Sequence, residues 1–343
     1  MRCTLLISDL LPPAASGSEP LQDVRLPVLE TLLARGTVVR QPALERDAWL
    51  CRAFGVAKQQ DWPVAPLTLM ADGVDPQHHY WLRADPVELR MERSRLVLAR
   101  AVSDLDTTET RELIAALNRH FARDGITLLA PFPRRWYLRV DRAPRIATTP
   151  LACAVNRDIE AHLPQGDAAL DWHRVINEAQ MVLHEHAVNV AREARSAALV
   201  NSVWLWGGGT APAIGRPRYD AAWGDDPLTR SLAAAAGIAR RDFGGNGSAW
   251  LTAATAAGDN HLLVLDQLSD ALRAGGSAAW REQLAMLERD WMAPLVAALR
   301  MRKISAITLV AISSDNLIEA TVTPALLWRL WRRLRPLASY AGA

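Results

Sequence analysis

Three short apolar runs in this chain each finish on an aspartate: Thr4-Leu-Leu-Ile-Ser-Asp9, His261-Leu-Leu-Val-Leu-Asp266 and Ile307-Thr-Leu-Val-Ala-Ile-Ser-Ser-Asp315. Continuous apolar runs of this length suit strands buried on both faces, as in a parallel sheet covered by helices. Between the second and third runs the period changes. Trp280, Leu284, Leu287, Trp291, Leu295 and Leu299 recur on one helical face, with Ser277 placed to cap it. Strand, helix, strand is the βαβ unit, and an α/β architecture with a mostly parallel sheet flanked by helices follows.

In an open parallel sheet, ligands bind beyond the carboxyl ends of the strands. Asp9, Asp266 and Asp315 stand there. They could converge as hard oxygen ligands of a divalent cation. Equally, each could start a turn or cap the helix that follows. The sequence leaves both readings open.

Two more helices frame the sheet. Asp226-Pro227 opens an Ala-rich one that stops near Gly237, with an acid at the cap, proline in the first turn and glycine at the end. Thr323-Pro324 predicts another, with Leu326, Leu327, Leu330, Trp331 and Leu334 on its apolar side and Arg329, Arg332, Arg333 and Arg335 on the rest. That basic face reads as solvated, with contact to an acidic partner as the other possibility. The middle of the chain differs: a strand-like Arg95-Leu-Val-Leu-Ala99, a helix from about Thr108, a strand-like Arg135-Trp-Tyr-Leu-Arg-Val140, then several prolines. These predict an inserted α+β cap subdomain over 85–149, interrupting a discontinuous core of 1–84 and 150–343.

Composition removes several classes. A net charge of +2 over 343 residues gives no general reason to expect a nucleic-acid partner. Cys3, Cys51 and Cys153 are odd in number and widely spaced, so neither a disulfide framework nor a zinc site is expected, and a reducing cytoplasm suits them. No stretch approaches the roughly 18 apolar residues of a membrane span, so no membrane partner is expected.

The densest cluster of potential binding residues follows a polar helical segment, Asn177 to Asn189: Asn201-Ser-Val-Trp-Leu-Trp-Gly-Gly-Gly209. A strand that runs into three glycines predicts a loop where a ligand can approach the backbone. It is not an NTPase phosphate loop, because no Gly-Lys-Ser/Thr follows, and Pro212 stands where a dinucleotide fingerprint needs its third glycine. There is no Gly-x-Ser-x-Gly elbow and no His-Glu-x-x-His; His184 and His186 point to different sides of a helix. His78-His79, beside Asp72, Asp75 and Tyr80, forms a looser candidate group.

Together these segments resemble the RpfE-type regulatory proteins, relatives of the archaeal-type cofactor-independent phosphoglycerate mutases in the alkaline phosphatase superfamily. The resemblance extends over the whole chain. It is most specific at Asp61-Trp-Pro-Val-Ala-Pro-Leu-Thr-Leu69, Ala84-Asp-Pro-Val87, Asn177 to Arg192 and Asn201 to Gly209. It implies an alkaline-phosphatase-like core with an inserted cap, two divalent metals (Mn, Mg or Zn) held by Asp and His, and a Ser or Thr nucleophile. Asp9, Asp61, Asp266 and Asp315 occupy metal positions, functional or vestigial. The rest of the pattern departs: Asn316 follows Asp315 where a His belongs, no His follows Asp266, and Gln60-Asp61 stands in place of Ser-Asp, with Thr68 the nearest hydroxyl. No catalytic residue is assigned. Asn189, Arg192, Asn201, Trp206, Gly207, Gly208 and Gly209 are the expected ligand-binding set, with Arg192 suited to phosphate or carboxylate.

The resemblance therefore implies a catalytically degenerate regulator that needs no cofactor and binds a small phosphorylated or carboxylated ligand or a protein partner. The alternative is an active metal-dependent mutase, phosphotransferase or phosphatase using the four aspartates with His78 or His79. A third reading puts nucleic acid on Arg332 and Arg333.

Overall fold

A computed structural model describes residues 1–11, 24–242, 245–313 and 316–340. Among them are twelve strands: β1 (Arg2–Ser8), β2 (Thr37–Pro42), β3 (Tyr80–Glu92), β4 (Arg95–Ala101), β5 (Ile126–Phe132), β6 (Arg135–Val140), β7 (Ser202–Gly209), β8 (Ala221–Trp223), β9 (Ala239–Arg241), β10 (Asn260–Leu265), β11 (Ala306–Ile312) and β12 (Asn316–Val322). Contacts divide the chain into two compact units, 1–55 with 214–343, and 56–213.

The first unit holds a seven-stranded sheet in the order β2-β12-β11-β1-β10-β8-β9. β1 lies at its centre, parallel to β10 through Ile7↔Leu265 and to β11 through Ile7↔Ala311. β8 and β9 continue the parallel set, and β12 and β2 close one edge antiparallel. The Asp-ended apolar runs are thus three adjacent parallel strands. Leu5, Ile7, Leu263, Leu265 and Leu309 share one buried cluster with Trp280, Leu284, Leu287, Trp291, Leu295 and Leu299, the six residues that the helical period selects. Each such side chain contributes about 1.5–3 kcal/mol when fully withdrawn from water. The helix itself is less regular than its period: Gln267–Leu287 is kinked at Gly276 (φ 67°), and a π-helical turn over Glu288–Met292 leads into Ala293–Arg300. The Pro227–Ala235 helix is capped as expected, with the Thr229 amide donating to the Asp226 carboxylate at 2.9 Å.

The predicted C-terminal helix is not present. After Thr323-Pro324 the described residues form two short 3-10 turns, Leu326–Trp328 and Leu337–Tyr340, and the backbone leaves helical geometry at Arg329 (φ −72°, ψ 62°). Helix nucleation is unfavourable, and a short amphipathic segment stays helical only when its apolar face is covered. Here Leu327 is buried, while Leu330, Trp331 and Leu334 are exposed.

The second unit holds a five-stranded antiparallel sheet in which β3 pairs with β4, β6 and β7, and β6 with β5. Helices Thr107–His120, Ala169–His184 and Ala187–Ala194 accompany it. The first starts with a capping box between Asp106 and Glu109. His186 is not mid-helix but the cap of Ala187–Ala194, its Nδ1 accepting from the Val188 amide. This unit extends well beyond 85–149, because β3 begins at Tyr80 and takes β7, far along the chain, as a partner. Without β7 the long central strand would keep an open edge. No helix of the described residues is long and apolar enough to cross a membrane.

Candidate functional site

The carboxyl ends of β1, β10 and β8 bring acids together in the first unit. Asp9 follows β1 in a left-handed conformation (φ 55°) that aspartate tolerates. Its Oδ2 accepts from Ser269 Oγ at 2.5 Å, and its carbonyl accepts from Trp280 Nε1 at 2.8 Å. Asp266 follows β10, one strand over. Arg46, on the helix Arg46–Ala53, reaches it in a two-point fork: Nε to Oδ1 and Nη2 to Oδ2, both at 2.8 Å. The same Nη2 lies 2.8 Å from Asp226 Oδ2, and Nη1 donates to Asp47 Oδ1 at 2.7 Å. One guanidinium therefore serves three carboxylates. Burial pushes the Asp226 carboxyl up, but the Arg46 charge and the hydrogen bonds of Thr229 outweigh it and leave Asp226 below the usual range. Asp266 ends above that range, because burial and the neighbouring Asp226 prevail over Arg46.

A divalent cation does not fit this donor set. The space between Asp226 and Asp266 already holds a cation that belongs to the chain, and Asp9 Oδ2 is engaged by Ser269. Among the described residues no group of three His, Cys, Asp or Glu side chains is arranged to hold a metal. Asp315, expected at the end of β11, lies outside the described residues.

Asp61 belongs to the second unit, where it meets the glycine strand. Its Oδ1 accepts from the Thr148 amide at 3.1 Å and its Oδ2 from Thr148 Oγ1 at 2.5 Å. The Gly208 amide also donates to it, and the Gly207 amide donates to Thr148 Oγ1 at 3.2 Å. The glycine segment does offer amides to an anion, and the anion is the chain's own Asp61. Burial pushes this carboxyl up, with Thr148, the Gly208 amide and Lys58 opposing.

The glycines themselves are not a loop. Gly207, Gly208 and Gly209 form the buried end of β7, against β3. The register steps from Trp81↔Gly209 to Arg83↔Trp206, so β7 carries one extra residue there. That is a β-bulge, and Gly207 takes the φ of +66° it requires. A Cβ on Gly208 would sit 2.5 Å from Tyr80 Oη, and one on Gly209 would sit 2.6 Å from Pro63 Cβ. Gly207→Ala is expected to destabilise the protein by about 1–3 kcal/mol, from left-handed strain plus crowding against Val64. Thermal unfolding should show it; an unchanged midpoint would mean that the bulge relaxes freely.

The other expected ligand residues also face inward. Arg192 is 0% exposed; its Nε donates to the Ala198 carbonyl at 2.6 Å, Nη1 to Glu109 Oε2 at 2.8 Å and Nη2 to Asp104 Oδ1 at 2.5 Å. Asn189 clamps Leu183 O and both backbone groups of Val200, and Asn201 pairs with both backbone groups of Leu89 on β3. Trp206 Nε1 donates to Asp85 Oδ2 at 2.7 Å, and Asp85 also pairs with buried Arg83. The Thr68 hydroxyl donates back to Val64 O within its own helix at 2.9 Å. In the looser His78-His79 group, Asp72 is held by Arg135 and Tyr137, and Asp75 by the Gln77 amide. A cleft of about 610 Å³ does exist in this unit, but its walls are Arg95, Asp158 and Glu160 facing His173, Asn177 and Gln180, away from the glycines.

Sequence reasoning missed Arg46, Ser269 and Thr148, and saw Asp226 only as a cap. The one available signal for Arg46 was its basic charge beside Asp47, which is too common to single out.

No family model matches this chain. A probable 2,3-bisphosphoglycerate-independent phosphoglycerate mutase of Geobacter sulfurreducens is 28% identical over 209 residues, 58% of this chain and 52% of that protein. A 2,3-bisphosphoglycerate-independent phosphoglycerate mutase of Methanothrix thermoacetophila is 26% identical over 229 residues, 62% of this chain and 54% of that protein. The chain thus spans about half the length of the curated relatives it matches. Its fold is similar to a cofactor-independent phosphoglycerate mutase from Thermoplasma acidophilum (TM-score 0.51, 17% identity, 100% of this chain and 95% of the other). It is also similar to the PH0037 protein of Pyrococcus horikoshii (TM-score 0.56, 16% identity, 94% and 87%). The chain is homologous to cofactor-independent phosphoglycerate mutases, and its fold is the alkaline-phosphatase-like α/β type.

Proposed function

We propose that this chain is a catalytically degenerate phosphoglycerate-mutase-like protein of the RpfE regulatory type, acting by binding rather than by turnover. The observation that carries the reading is the Arg46 guanidinium between Asp226 and Asp266. Metal-assisted phosphoryl transfer uses divalent cations to polarise the phosphoryl oxygens and to activate the nucleophile. A guanidinium supplies charge, but it has no open coordination position for a substrate oxygen. Gln60 and Asp61 supply no hydroxyl where the resemblance wants one, and Asp61 is engaged by Thr148. The internal pairing of Asn189, Arg192 and Asn201 favours a partner at the surface over a small anion at the glycine strand.

The test is direct. Purified protein given 3-phosphoglycerate or p-nitrophenyl phosphate with Mn²⁺, Mg²⁺ or Zn²⁺ is expected to show no turnover above background and no stoichiometric metal. Robust turnover that disappears in Asp9→Ala would overturn the proposal and establish the active-enzyme alternative.

A further inference from the structure

The segment that fails to form its helix leaves several large apolar side chains in solvent. Trp328 is 75% exposed, Trp331 76% and Leu330 64%. Isolated exposed apolar residues are ordinary, but two tryptophans and a leucine within four positions are not. Interleaved with them are Arg329, Arg332, Arg333 and Arg335, and no Asp or Glu occurs after Glu319. None of these four guanidiniums makes an ion pair among the described residues, whereas Asp47, Asp225, Asp226, Asp242, Asp266 and Asp290 pair with other arginines. Burial pushes the Tyr340 phenol up, with Arg335, Arg40 on β2 and Arg332 opposing it and Glu30 adding to it.

We propose that residues 328–335 are a docking segment for an anionic lipid surface, which takes up the exposed Trp328, Leu330, Trp331 and Leu334 while the arginines between them meet its headgroups. Trp328, Leu330, Trp331 and Leu334 already face solvent, so a surface can take them up while Leu327 stays in the core. Exposed tryptophan and leucine beside arginine is the composition of segments that lie in a membrane interface. Tryptophan settles at the headgroup level, and arginine is drawn to anionic headgroups. A lipid surface also covers the apolar side chains that the described residues leave exposed. The absence of a membrane-crossing helix bears on spanning a bilayer, not on lying against one.

Other occupants fit less well. A nucleic acid would reward the arginines yet leave Leu330 and Leu334 in water. A second copy of the chain, joined through the same patch, would bring the two sets of four arginines together. This inference stands apart from the loss of catalysis and holds whether or not the chain turns over phosphoglycerate.

The experiment is co-sedimentation of the full chain with vesicles of phosphatidylcholine, alone or mixed three to one with phosphatidylglycerol, at about 0.1 M salt. Binding to the anionic vesicles is expected, at least about tenfold stronger than to neutral ones. Trp328→Ser with Trp331→Ser, and separately Arg332→Glu with Arg333→Glu, should each weaken it by about tenfold or more. All four side chains are exposed, so the unfolding midpoint should be unchanged in both variants. Failure to sediment with anionic vesicles overturns the proposal. So does binding that the Arg variant loses and the Trp variant keeps, which would point to a polyanion such as duplex DNA. A dimer in light scattering that the Trp variant dissociates, without vesicle binding, overturns it in favour of self-association.

Discussion

Replacing Arg46 with alanine is expected to lower the unfolding free energy by about 2–4 kcal/mol, read from denaturant unfolding at neutral pH. The upper end applies to fully buried pairs; Arg46 keeps a side-chain exposure of 21%, which discounts it. The loss comes less from the missing hydrogen bonds than from what stays behind: Asp47, Asp226 and Asp266 face one another with no cation. Arg46→Lys keeps the charge but not the two-point fork on Asp266, so it should lose only part of this. The pH dependence carries the signature. In the native chain Asp226 is held below the usual range, so its contribution is present above the ordinary carboxylate pKa of about 3.9 and is lost as pH falls through its depressed value. In Arg46→Ala the same carboxyls are raised, so protonation relieves them, and the deficit against wild type should narrow from pH 7 towards pH 5. A second signature follows from the oxygen chemistry. Millimolar Ca²⁺ or Mn²⁺ should restore part of the midpoint in Arg46→Ala and leave wild type unmoved, because binding to the folded state alone stabilises it. An alanine variant as stable as wild type, indifferent to pH and metal, would show that Arg46 is ornamental and remove the main support for lost catalysis.

This pattern explains why the core was legible and the site was not. β1, β10 and β11 announce themselves because a strand buried on both faces must be apolar throughout, whatever lies beside it. The helix residues Trp280 to Leu299 are equally local in origin, since one apolar stripe is enough to dock them. The caps at Asp106 and Asp226 are side chains bonding to amides three residues on. By contrast, Arg46 and Asp266 are 220 residues apart and meet only through the sheet order. Nothing near either residue records the meeting. The glycine run misled for a different reason. Glycine marks both a ligand loop and a bulged strand packed tightly on its neighbours, and Gly207 to Gly209 follow Trp204 and Trp206 in the second role. The C-terminal segment has the right period for a helix, but period cannot say whether anything covers the apolar face.

Arg192→Met is expected to be among the most destabilising single changes in the second unit, at about 3–5 kcal/mol. Methionine fills much of the volume but donates to nothing. Glu109, itself buried, then keeps only the Asp106 amide, its own cap contact and Arg195, while the Ala198 carbonyl loses its guanidinium donor. That same Glu109 is the third residue of the helix Thr107–His120 and half of its capping box, so the lost charge pair also loosens the cap. Arg195→Ala removes the other guanidinium from Glu109, but Arg195 is half exposed, and the loss should be about 1 kcal/mol or less. The contrast between the two arginines is what makes the measurement decisive. If Arg192 existed to hold a phosphate or carboxylate ligand, its replacement would leave the free protein's stability almost intact and abolish stabilisation by the added anion. If it is the internal counter-charge that its three acceptors indicate, Arg192→Met unfolds far earlier than Arg195→Ala, and millimolar phosphate or 3-phosphoglycerate shifts neither.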